Sequence, residues 1–226
     1  MNKQRYLIFE GFMLVFLTGL IASFQNDFSH GTAAFKTFAS LCFVLAGFCG
    51  YLTSKKKFTK MMLAAFFCSM LGDIFLALDT NQGLLFILGV ASFAAAHLLF
   101  STAFCSVSPV SKKDIAITGT VFCALLLLLF LGSFDFKGLL PVLIGYAAII
   151  SFMMVKSLSL KNCRWPGECA AMLIMAGGVL FLLSDIILLF WLFGIGIPKE
   201  VQSLNWVVYY LAQGCLAASL NKVSEG

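Results

Sequence analysis

Two aspartates stand in surroundings that read as hydrocarbon. Asp73 lies in Leu71-Gly72-Asp73-Ile74-Phe75-Leu76, and Asp185 lies in Leu183-Ser184-Asp185-Ile186-Ile187-Leu188. An aspartate at the centre of a membrane helix costs ~2.5–3.5 kcal/mol on insertion scales, so two in matched settings point to function. A pair of buried carboxyls suits acid–base chemistry, one holding a proton while the other stays ionised. The competing explanation is polar glue between helices. Other polar residues fall near the same level. Ser69 is one turn before Asp73, and Lys36, Tyr146 and Ser184 lie in other apolar stretches or beside Asp185. Asn205, Tyr209 and Gln213 step by four along one helix face. His97 sits deeper, in the cytoplasmic half of its segment. Lys36 near an outer interface could equally snorkel, His97 could be a packing histidine, and Tyr209 and Tyr210 could be interfacial belt residues.

The elements that hold these residues follow from composition. The chain has 226 residues, 61% hydrophobic and 11% charged, with a mean hydropathy of +1.00. That excludes an ordinary soluble domain and indicates an all-α polytopic membrane bundle, with the lipid bilayer as partner. The net charge of +5 is no nucleic-acid signal, because the basic residues sit in short loops between apolar runs. A span needs about 20 mostly apolar residues. That rule predicts about eight spans, 6–24, 33–53, 60–78, 83–105, 114–132, 138–157, 169–192 and 202–220, in one transmembrane domain covering 1–226. The first resembles a signal peptide, but no small-x-small cleavage pattern follows it, so it is read as a retained helix.

Charge sets the orientation. Lys3, Arg5, Lys55–Lys57, Lys60, Lys112, Lys113, Lys156, Lys161, Arg164 and Lys222 fall on one side, and only Lys137 and Lys199 on the other. The positive-inside rule then puts both termini in the cytoplasm. Spans 3 and 7 run in the same direction, which places Asp73 and Asp185 at a common depth, about 20–24 Å from the cytoplasmic side. The two motifs lie four spans apart, as a parallel duplication of four helices would leave them. A polar pocket opening toward the outer leaflet and lined by spans 2, 3, 6, 7 and 8 is expected.

Six of the eight cysteines lie in apolar segments and read as small packing residues, and Cys163 with Cys169 is neither a zinc framework nor a disulfide signature. No metal-ligand cluster, phosphate loop, nucleophile elbow or nucleotide fingerprint stands in the sequence.

Taken together, Ser69-x-x-Gly72-Asp73, Gly83, Phe93, His97 with Ala103-Phe104, Arg164-Trp165, Gly177-x-x-Leu180-Phe181-x-x-Ser184-Asp185 and Tyr209-Tyr210-x-Ala212-Gln213 resemble the YhhN-like family of integral membrane proteins, which includes the animal lysoplasmalogenases. The resemblance runs from about Lys36 to Ser219. It implies an eight-span fold, no metal or organic cofactor, and hydrolysis of the vinyl ether bond of a lysophospholipid to a fatty aldehyde and a glycerophospho-head group. Phe100 stands where relatives often carry Tyr, and Phe190-Trp191 where some have a polar pair, departures expected to bear on pocket polarity.

Vinyl ether cleavage begins with protonation of the β-carbon and passes through an oxocarbenium ion. Inverting glycosidases meet a similar demand with two carboxyls, an analogy of chemistry and not of fold. The expected division gives one Asp the proton, with a slight lean to Asp185, and leaves the other ionised. Tyr209, Gln213 and Ser69 would orient carboxyls or water, and Lys36 would hold the phosphate. The same buried residues also suit a proton-coupled transporter or a lipid-translocating protein. For a bacterial source the inner membrane is expected. The oligomeric state is left open.

Overall fold

The computed structural model describes residues 5–79 and 83–223; Lys3, used above for orientation, lies outside them. Among the described residues eight α-helices follow one another: α1 (Arg5–Gln25), α2 (Ser29–Ser54), α3 (Lys57–Leu78), α4 (Leu84–Cys105), α5 (Lys112–Leu131), α6 (Leu140–Ser159), α7 (Glu168–Phe193) and α8 (Glu200–Asn221). A single 3-10 turn, Leu160–Asn162, links α6 to α7. The bounds agree with the apolar runs to within about a turn. The largest difference is at α2, which starts at Ser29 because polar residues can begin a helix outside the apolar zone. Lys36 therefore sits two turns into α2, not in its first turn.

Seven helices are long and apolar enough to cross a membrane, making this a multi-pass membrane protein; α8 is not among the seven. Its 22 residues reach about 33 Å, enough for the hydrocarbon layer. Its polarity has a packing reason: α8 lies against α1, α2 and α7, and buries Gln202, Asn205, Tyr209 and Gln213 among them. A helix coated by protein needs no apolar coat of its own.

Consecutive helices pack along α1–α2–α3–α4 and again along α5–α6–α7–α8. The two halves meet along two matching seams, α2 on α8 and α6 on α4, and α1 adds an unmatched contact with α8. A two-fold axis along the bundle generates this pattern, since α2 corresponds to α6 and α4 to α8. Register supports it: Tyr209 follows Asp185 by the same interval as His97 follows Asp73. Equivalent crossings share a device with the roles exchanged. Where α2 meets α3, Gly47 makes room for Phe66, and a Cβ on it would stand 2.7 Å from that ring. Where α6 meets α7, Gly178, at the position matching Phe66, makes room for Ser157, and a Cβ there would stand 2.2 Å from the hydroxyl.

The halves differ in their first helices. α1 packs on α2 and α8, burying Tyr6, Met13, Leu17, Leu20 and Ser23. α5 packs along α6 and buries only Asp114 and Leu129. A capping box, Ser111 with Asp114, starts α5. Lys156 is not a loop cation, as its place in the charge pattern suggested. It lies inside α6, fully buried, 2.9 Å from Asp114, while Ser159 donates to the other oxygen of the same carboxylate at 2.7 Å. This ion pair clamps the lysine-rich ends of α5 and α6 together.

Candidate active site

Asp73 is 2% exposed and sits at the centre of three donors. The Lys36 ammonium from α2 stands 3.2 Å from Oδ1. Ser40, one turn further along α2, donates to Oδ2 at 2.6 Å, and Tyr209 of α8 donates to the same oxygen at 2.7 Å. Gln213 donates to the Tyr209 hydroxyl at 3.1 Å. Tyr210 donates to the Lys36 carbonyl at 3.0 Å and lies 3.1 Å from Ser40 Oγ. An ammonium and two hydroxyls thus converge on one buried carboxylate.

Gly72 makes the position next to Asp73 possible. A Cβ there would sit 2.7 Å from the Phe93 ring, so only glycine lets α4 come this close to α3.

Asp185 is held differently. Tyr146 of α6 donates to its Oδ2 at 2.8 Å, and His97 Nε2 of α4 lies 3.3 Å from the same oxygen and 2.9 Å from the Tyr146 hydroxyl. With Tyr146 donating to the carboxylate, its oxygen is free to accept from a protonated His97 Nε2. His97 Nδ1 is buried without a hydrogen-bond partner. The Asp185 side chain is 13% exposed, the more open of the two carboxyls. Its neighbours are a phenol and an imidazole, where Asp73 has an ammonium.

The two clusters exchange partners across the halves. His97 comes from the helix after Asp73 but bonds Asp185. Tyr209 comes from the helix after Asp185 but bonds Asp73. Each carboxylate is completed by the other repeat, so neither half holds a whole site.

Both carboxylates line one cavity of about 720 Å³. Lys36, Ser184, Asn205, Tyr209 and Trp206 line it too, with Lys137 and Gln202. Asn205 donates to the Ser184 carbonyl at 2.6 Å, tying α8 to α7 beside Asp185, and the Ser184 hydroxyl turns back to the Phe181 carbonyl. Trp206 Nε1 and Gln202 Oε1 are buried and make no hydrogen bond, leaving a free donor and a free acceptor on cavity-lining residues.

The sequence-derived set therefore divides. Lys36 and Tyr209 meet at Asp73, with Gln213 behind Tyr209; His97 and Tyr146 meet at Asp185; Asn205 and Ser184 join α8 to α7. Lys36 does not snorkel: its ammonium turns to Asp73 at the wall of the cavity. Ser69 is buried, but its hydroxyl makes no hydrogen bond, so it does not orient Asp73. The Asp73 carboxylate turns away from its own helix, across to α2 and α8. Ser40 does what Ser69 was expected to do, and its signal was its place one turn after Lys36 on the same face. Tyr210 is fully buried, not an interfacial residue. Phe100 packs against Phe66 and Phe104, away from the cavity lining, while Trp191 lines the cavity. Only the latter departure bears on pocket polarity.

The model of the YhhN family matches residues 31–220, so the chain belongs to that family. No curated protein and no solved structure matches it.

Proposed function

We propose that this member of the YhhN family is an intramembrane hydrolase that cleaves the vinyl ether bond of a lysoplasmalogen, the activity with which the family is associated. One observation carries the reading: two carboxylates from corresponding helices face a single cavity with unlike neighbours, a lysine ammonium at Asp73 and a phenol and an imidazole at Asp185. One fold thus offers two carboxyls in unlike surroundings, the division acid–base catalysis needs.

In this scheme Asp185 gives its proton to the β-carbon of the vinyl ether. Asp73 steadies the oxocarbenium ion. Water adds to the carbon bearing oxygen and passes a proton to Asp73. The hemiacetal then collapses: Asp73 returns that proton to the departing glycerol oxygen, Asp185 takes the hydroxyl proton, and the carbon–oxygen bond breaks. Aldehyde and glycerophospho-head group leave, one water has been consumed, and both carboxyls are back in their starting states. Tyr146 and His97 position Asp185; Ser40, Tyr209 and Lys36 position Asp73. The phosphate end faces Lys137 and the Trp206 N–H at the cavity wall. With the lysine-rich end in the cytoplasm, the cavity opens toward the other leaflet.

The test is aldehyde release from a lysoplasmalogen by purified protein in detergent, beside Asp73→Asn and Asp185→Asn variants of verified fold. Active wild type with losses of at least ~100-fold in both variants supports the hydrolase, since a positioned acid or base is worth about that much. An inactive, folded wild type overturns it. The pseudo-two-fold repeat and the buried Lys36–Asp73 pair also fit a proton-coupled carrier; that reading requires substrate movement in sealed vesicles and no product in detergent.

A further inference from the structure

A second, apolar cleft of about 90 Å³ adjoins the polar cavity. Val90 and Phe93 of α4, Leu125 and Leu129 of α5, Leu143 of α6 and Leu189 of α7 line it. Asp185 lines both spaces and marks their junction. The cleft exists because the repeats are unequal. On the Asp73 side α1 is drawn in against α2, and Gly19 lies so close to Phe35 that a Cβ would stand 2.6 Å from the ring. On the Asp185 side α5 packs along α6, whereas α1 packs on both α2 and α8. The gap left beside α4 is apolar and lies within the membrane-spanning helices.

We propose that this cleft between α4 and α5 receives the hydrocarbon chain of a single-chain ether phospholipid from the bilayer. The first carbons lie against Asp185, and the polar end occupies the larger cavity. The pairing of an apolar slot with a polar chamber matches an amphiphile with one tail. The cleft is much smaller than the polar cavity, so it holds the carbons next to the ether and leaves the rest of the chain in lipid. The proposal rests on the hydrolase reading and assigns its chain-binding site: Leu125, Leu129 and Val90 determine what chain is accepted.

A saturated alkyl-ether lysophospholipid, which has no vinyl ether to cleave, carrying a diazirine a few carbons from the ether, tests this with the full chain in detergent. Photolysis and peptide mapping are expected to place the label on the segments containing Val90–Phe93 and Leu125–Leu129, with competition by unlabelled lysophospholipid. Leu129→Trp, and separately Val90→Trp, are expected to reduce that labelling at least ~10-fold. Label spread equally over the outward face of α1 at Leu7–Val15, or labelling unchanged in both folded tryptophan variants, overturns the proposal. Aldehyde release from a lysoplasmalogen is measured on the same samples. Label in the cleft without aldehyde overturns the hydrolase and keeps the chain site; aldehyde with label elsewhere overturns the chain site alone.

Discussion

The Asp73 and Asp185 regions are two copies of one arrangement, tuned in opposite directions. In each, an aspartate of the third helix of a half is met by the second helix of its own half and the fourth helix of the other. At Asp73 the second helix supplies Lys36 and Ser40. At Asp185 it supplies Tyr146. The fourth helix supplies a tyrosine to Asp73 and a histidine to Asp185. The first copy is closed and holds a lysine ammonium; the second meets a phenol and an imidazole, is more open and is backed by an apolar cleft. A duplicated frame can thus give two identical carboxyls different work by changing only what stands beside them.

The comparison is sharpest in what each aspartate does for stability. Asp185→Asn is expected to lose ~10²–10⁴-fold in kcat, the range for a positioned acid, with thermal stability close to wild type, because no buried cation is left behind. Near-normal kcat would break the assignment. Lys36→Met and Asp73→Asn each leave a buried charge without its partner, so each is expected to cost ~3–5 kcal/mol, read as a drop in the detergent unfolding midpoint. The double variant Lys36→Met/Asp73→Asn should recover most of that stability while remaining inactive. A double variant no more stable than the singles would show that the pair is not the unit it is taken to be.

Smaller effects come from the groups beside each carboxylate. Tyr146→Phe removes one hydrogen bond from Asp185, worth ~1 kcal/mol, and should lower kcat roughly tenfold while leaving the unfolding midpoint close to wild type. Ser40→Ala removes one from Asp73 and should lower the unfolding midpoint as well as kcat, because the Lys36–Asp73 pair loses a buried partner. Equal effects of the two substitutions on stability would merge two roles that the structure keeps apart. The smallest change is expected from Ser69→Ala. Its hydroxyl is buried without a partner, so removing it should leave activity within about twofold and stability unchanged or slightly raised.

Much of this was legible without a structure. The eight helices follow from hydropathy, because each span must meet lipid or a neighbour along its own length, and that demand is written locally. Asp73 and Asp185 stood out for the same reason, as charges with a visible cost. The stripe of Asn205, Tyr209 and Gln213 was readable from helix periodicity, and it does face the bundle. Ser40 and Tyr210 were not, since a serine or a tyrosine in an apolar run fits several environments. Ser69 was misjudged because sharing a helix face with Asp73 says nothing about which way the carboxylate turns. Lys156 was misjudged because its partner, Asp114, lies on another helix.

By itself, then, the sequence determined the membrane bundle, the positions of its two carboxylates and the polar face of α8. The tertiary structure alone decided which groups surround each carboxylate. It set Lys36 on Asp73, gave His97 to the aspartate of the other half, and held α5 away from α4 so that an apolar cleft meets Asp185. Hydropathy and periodicity are properties of one segment at a time. Pairing and cavity shape arise only where helices from distant parts of the chain cross, and those crossings depend on side-chain fits such as Gly47 with Phe66 and Gly19 with Phe35.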